Sequence, residues 1–221
     1  MEKMPTVGYI TAIKTQKRKN RRSIFIDEIF SFGVDAEIVH KYKLTEGQFL
    51  DAQLIEKIVL KEEYRKACNR VFNFIAYCPR SLKEVKNYLS EFNYPPIIIA
   101  RVIEKCVHLG YLDDKELVLL VARAKLRRKP QGAAALHCIL QKKGFEYSDI
   151  KAALGTVYSE KEESAYALQA LESKFKAPGG MAPEKLKTRA VAFLQRRGFC
   201  WDSIREAIGK SALIDYQSDH D

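Results

Sequence analysis

The sequence predicts a mainly α-helical protein of tandem three-helix, helix-turn-helix-like repeats, preceded by a small N-terminal β-hairpin or meander unit. Three observations carry that prediction. The first sixty residues hold short β-branched and aromatic runs. From about residue 64 a 3.6-residue apolar period replaces them. Part of that helical pattern then returns at a fixed offset of 54 residues.

Residues 6–13 and 23–27 are rich in Val, Ile, Thr, Tyr and Phe, as strands require, and residues 28–34 can complete a meander. Lys17, Arg18, Lys19, Arg21 and Arg22 form a basic connection between the first two. A lone hairpin is marginal in water, so a helix is expected to cover it. Thr45 and Gln48 have capping-box spacing, which places the start of that helix at Thr45.

Cys68, Val71, Phe72, Ile75 and Ala76 then fall on one helical face, which Pro79 ends. Ser81 with Glu84 is a second capping box, ahead of Leu82, Val85 and Leu89. Pro95-Pro96 opens a third helix and Gly110 closes it. The segment from Cys138 to Phe145 matches that from Ala192 to Phe199, and Leu89, Tyr94 and Ile99 align with Leu140, Phe145 and Ile150 at an offset of 51. Such units bury their apolar faces poorly alone, so they are expected to stack. The predicted division is 1–63 for the β unit with its linking helix, 64–112, 113–158 and 159–211 for the repeats, and 212–221 for a tail.

The net charge of +10 is unevenly spread. Residues 117–158 carry eight basic and two acidic side chains, whereas residues 159–221 balance at ten each. A field so concentrated attracts phosphates. The candidate contacts are Arg123, Lys125, Arg127, Arg128 and Lys129 at the end of one helix, with Lys142, Lys143, Arg196 and Arg197 at equivalent helix ends. Cations there also complement the helix dipole, a purely structural role. The basic connection at Lys17–Arg22 is either a further contact or a solvated turn that blocks edge pairing.

Catalytic patterns are missing from the sequence. Asp113 and Asp114 are adjacent and diverge by about 100° on a helix, so Asp113 reads as an N-cap rather than half of a carboxylate pair. His108 and His137 read as packing histidines, and Trp201, ahead of a predicted N-cap at Asp202, as a core residue. The five cysteines lack zinc-ligand spacing and read mostly as buried, reduced thiols. No run has the length of a membrane span and no signal peptide opens the chain, so a cytoplasmic, non-enzymatic protein with no cofactor and no metal is expected.

The run Pro79-Arg80-Ser81-x-x-Glu84-Val85, the element Leu109-Gly110-Tyr111-Leu112-Asp113-Asp114 and the segment Lys125–Gly132 followed by Lys143-Gly144-Phe145 resemble the RecX family. The resemblance covers about residues 64–209, and Pro178-Gly179-Gly180 interrupts the third repeat. It implies an elongated, curved array of repeats; a monomer is expected. It further implies a regulator that binds RecA in its filament on single-stranded DNA and modulates, in the inhibitory direction, recombinase, ATPase and coprotease activity. The alternative is a helix-turn-helix transcription regulator. The third helices open on Pro95-Pro96-Ile97, Tyr147-Ser148-Asp149 and Trp201-Asp202-Ser203, which are poor base readers.

Overall fold

Ile24 and Ile26 are buried while the alternating Ser23 and Phe25 are not, the pattern of a strand with one face on a core. The computed structural model describes residues 7–17, 20–175 and 182–211. Arg18, Lys19, the Pro178-Gly179-Gly180 element and the tail from residue 212 lie outside them. The chain divides into two units, one of Met1–Cys78 with Lys86–Leu109, the other of Pro79–Val85 with Gly110–Asp221.

In the first unit β1 (Gly8–Thr15), β2 (Arg21–Ile26), β3 (Ile29–Asp35) and β4 (Phe49–Leu50) form an antiparallel sheet in the order β3-β2-β1-β4. Asp27 and Glu28 both take positive φ (48° and 68°). That geometry matches the right-handed twist of the strands the two residues join. The short helix α1 (Ala36–Lys41) follows, N-capped by the Asp35 side chain.

The covering helix starts later than the sequence suggests. Gln48 does accept from the Thr45 amide through its side chain, but the backbone amides of Gly47 and Ile10 pair across to Ile10 and Gln48. These residues are thus drawn to the sheet edge, and β4 intervenes. Helix α2 (Ala52–Tyr77) begins only after Asp51, whose carboxylate caps Leu54 N at 2.7 Å. It then runs unbroken through residue 64: Ile55 and Ile58 join the sheet core, and the C-terminal part packs on α4 (Pro96–His108).

The second unit holds α5 (Asp114–Arg128), α6 (Ala133–Lys143), α7 (Tyr147–Glu160), α8 (Glu163–Lys174), α9 (Pro183–Arg196) and α10 (Trp201–Gly209). It also takes the first turn of α3 (Leu82–Glu91), whose remainder belongs to the first unit. Helix α5 packs on α7 around Val118, Ala122, Leu126 and Ile150, and α8 on α10 around Ala167, Leu171 and Ile204.

The turn after each middle helix is the same local structure three times. Asn93, Gly144 and Gly198 take the left-handed conformation, with φ of 57°, 90° and 75°. The next residue, Tyr94, Phe145 or Phe199, is buried, and its amide reaches back to the carbonyl of Leu89, Leu140 or Leu194. This is a Schellman-type stop: the left-handed residue frees the chain to fold back, and an aromatic seals the helix end.

Several sequence expectations need correction. Trp201 is 53% exposed and is itself the first residue of α10, whose N-cap is Cys200 and not Asp202. The buried aromatic of this core is Phe199. Only Cys68 and Cys106 are fully buried; Cys138 and Cys200 are exposed. Cys138 lies two residues from both Leu136 and Leu140, which puts it on the opposite side of α6. His108 is exposed, while His137 is half-buried with its ring edge-on to Tyr147 at 5.7 Å.

Candidate nucleic-acid interface

Val118, Ala122 and Leu126 recur every four residues and bury one stripe of α5. The remaining positions of its last two turns therefore face outward, and Arg123, Lys125, Arg127, Arg128 and Lys129 are all exposed. Among the described residues no carboxylate lies within ion-pair range of Lys125, Arg127, Arg128 or Lys129. Lys129 closes the helix with its amide on Lys125 O at 2.9 Å, and Pro130 prevents continuation.

The turn that follows is held at every residue. Arg197 Nη1 donates to Pro130 O at 2.9 Å, and the Tyr158 hydroxyl donates to Gln131 O at 2.9 Å. Burial pushes the Tyr158 phenol far up, so it stays a donor throughout the neutral range. Gly132 N donates to Arg197 O at 3.0 Å, and Ala133 N to Glu163 Oε1 at 2.9 Å. The α5 cations are thus presented from a fixed end, which lowers the ordering cost of engaging a partner.

Helix ends with similar sequences do different work. Lys142 and Arg196 are exposed. Lys143 places its ammonium on Glu84 Oε1 at 3.2 Å, and its carbonyl accepts from the Ser81 hydroxyl at 3.0 Å. Arg197 is turned inward to Pro130 and lies 4.9 Å from the Phe193 ring centroid. Lys143 and Arg197 thus hold intramolecular junctions. Each sits where the carbonyl before a left-handed glycine meets the N-cap of an earlier helix, Ser81 in one case and Gly132 in the other.

Carboxylates complete the same junctions. Asp113 caps its own helix through Lys115 N and Glu116 N, as its spacing predicts. Asp114 instead reaches Leu82 N at 2.9 Å, the role Glu163 plays for Ala133. Burial raises the Asp114 carboxyl above its ordinary value, with the Leu82 amide opposing. Ser81 and Glu84 make the reciprocal capping box in full, at 2.9 and 3.2 Å. Burial works against the Glu84 charge, but the Ser81 amide and the Lys143 ammonium together hold its carboxyl below the usual value.

In the β unit, Arg21 spends its guanidinium on Glu62 Oε1 at 2.7 Å and Gly33 O at 3.1 Å. Arg22 Nη1 donates to the Arg21 carbonyl. Lys17 is described in a bend, and Arg18 and Lys19 lie outside the described residues. The partners of Arg21, Lys143 and Arg197 are 41, 59 and 67 residues away in sequence, so no local pattern announces them.

Among the described residues no group of three His, Cys, Asp or Glu side chains could hold a metal ion, and no helix is long and apolar enough to cross a membrane. A small β unit, three-helix units joined by recurring caps and an exposed cationic helix end define a helical-repeat protein with a basic surface. Residues 8–51 match the regulatory protein RecX N-terminal domain, residues 67–106 the first three-helix domain of RecX and residues 161–208 the third. The regulatory protein RecX of Bacillus subtilis is 33% identical over 96% of this chain and 80% of its own length. That of Bacillus velezensis is 32% identical over 96% and 79%. A crystal structure of regulatory protein RecX superposes with a TM-score of 0.73 at 21% identity, covering 93% of this chain and all of the other. One of RecX from Lactobacillus salivarius gives 0.64 at 21% identity over 71% and 99%. The chain belongs to the RecX family of regulatory proteins.

Proposed function

We propose that this protein binds the RecA filament on single-stranded DNA and restrains its recombinase, ATPase and coprotease activities. In this reading residues 64–112, 113–158 and 159–211 are the three repeats, and the middle one carries the binding edge. The observation that supports it is the α5 end: Lys125, Arg127, Arg128 and Lys129 are exposed without a carboxylate partner, on a turn fixed by Arg197, Tyr158 and Glu163. Guanidinium groups so placed can take phosphate oxygens or carboxylates in bidentate fashion. Lys142 and Arg196 are further candidates, whereas Lys143, Arg197 and Arg21 serve the fold.

The test is ATP hydrolysis by preformed RecA–single-stranded-DNA filaments with increasing amounts of the purified protein. A dose-dependent fall in rate is expected. An unchanged rate at saturating protein overturns the reading.

A further inference from the structure

A second cationic feature lies in the other unit, on residues that no charge run in the sequence singles out. Helices α2 and α4 and the end of α1 enclose an open trough of about 840 Å³. Lys57 and Lys61 stand one turn apart on α2, and Arg101 and Lys105 one turn apart on α4, so the trough has a pair of cations along each of these two helices. Its apolar lining includes Leu60 and Ile97, which are 40% and 56% exposed. Among the described residues a single carboxylate, Glu104, lines it, and none of the four cations has a carboxylate in ion-pair range.

We propose that this trough docks an acidic peptide segment of a protein partner, with branched apolar side chains on Leu60 and Ile97 and carboxylates on the flanking cations. Uncompensated like charge around exposed aliphatic side chains is costly for a surface with no partner, and an acidic, apolar chain relieves both. A nucleic acid fits less well. Sequence-tolerant binding of single strands needs open aromatic faces, and the Tyr64 ring is already engaged by the Lys61 and Lys105 ammoniums at 5.3 and 5.9 Å. Aliphatic lining offers a base neither stacking nor hydrogen bonds. The proposal stands apart from filament binding by α5 and does not depend on it.

Fluorescence anisotropy with the full-length protein tests it, using a short labelled peptide that alternates Glu and Ile. Oligoglutamate and oligothymidylate of equal charge serve as comparison probes. The alternating peptide is expected to bind best. Lys57→Glu with Arg101→Glu should weaken it at least about tenfold, and Ile97→Ser several-fold, with the circular dichroism spectrum unchanged. All three substituted side chains are exposed, so folding is not at stake. Equal binding of oligoglutamate, tighter binding of oligothymidylate, or peptide binding indifferent to the substitutions would each overturn the assignment.

Discussion

Gly132 and Gly198 meet backbone to backbone: a Cβ on Gly132 would run into the Gly198 carbonyl, and one on Gly198 into the backbone of Ala135. Gly198 is left-handed and ends α9, while Gly132 N-caps α6, so two helix termini share one close backbone contact. Gly132→Ala should therefore destabilise the protein by about 1–3 kcal/mol through overpacking. Gly155→Ala is the contrast. It lies inside α7 with open space around it, and should gain about 0.5–1 kcal/mol of helix propensity. Urea denaturation of both variants checks the pair, and two gains would mean that the junction has room to spare.

Glu84 joins two elements through one carboxylate, capping Ser81 N at 2.9 Å and pairing with Lys143 at 3.2 Å. Its folded carboxyl sits below the ordinary value of 4.5. The stabilisation is therefore complete above pH 4.5 and disappears as the pH falls through the folded value. Glu84→Gln retains a capping oxygen but not the charge, and the pair is partly solvated, so a loss of about 0.5 kcal/mol at pH 7 is expected. Denaturation at pH 7 and pH 3 should show the gap between wild type and variant closing in acid. A gap that widens in acid contradicts the assignment.

What the sequence made legible follows from the range of the interactions. The Ser81–Glu84 box, the Asp113 cap and the glycine stops involve residues within five positions of each other, and all are readable as spacing. The burial stripe of α5 is readable too, because periodicity alone turns Arg127 and Arg128 outward. Strand β4 and the late start of α2 were hidden, since both depend on pairing with β1 some forty residues earlier. The same limit applies to the cations. Lys142-Lys143 and Arg196-Arg197 look alike in sequence, and only distant partners separate the exposed member of each pair from the structural one.

Glu62 is 3% exposed and serves Arg21, Arg65 and the Asp35 amide at once. Burial opposes its charge, but these hydrogen bonds together hold the carboxyl below its ordinary value. Glu62→Ala would leave Arg21 only Gly33 O and Arg65 only Asp35, and would free the Asp35 amide, at a cost of about 2 kcal/mol. Glu63→Gln, which breaks only the solvated pair with Lys66, should cost a few tenths, on the order of 0.3 kcal/mol. Thermal melts of the two variants give the comparison, and equal losses would show that Glu62 carries no special weight.

Arg127 and Arg197 separate binding from folding. Arg127→Glu with Arg128→Glu alters exposed side chains beyond the buried Leu126 stripe, so the only expected loss of stability is about 1 kcal/mol from charges opposed to the helix dipole. Binding to RecA–single-stranded-DNA filaments should weaken, and if the contacts are to phosphate the slope of log affinity against log salt should fall by about 0.7 for each one lost. Arg197→Gln should behave in the opposite way. It removes a bond to Pro130 O and the contact with Phe193, lowering stability while leaving the salt slope intact. Weaker affinity with an unchanged slope for the α5 variant would place its guanidiniums on RecA carboxylates deep in the interface rather than on DNA. Unchanged affinity would make the α5 end a solvated helix terminus whose charge only complements the dipole.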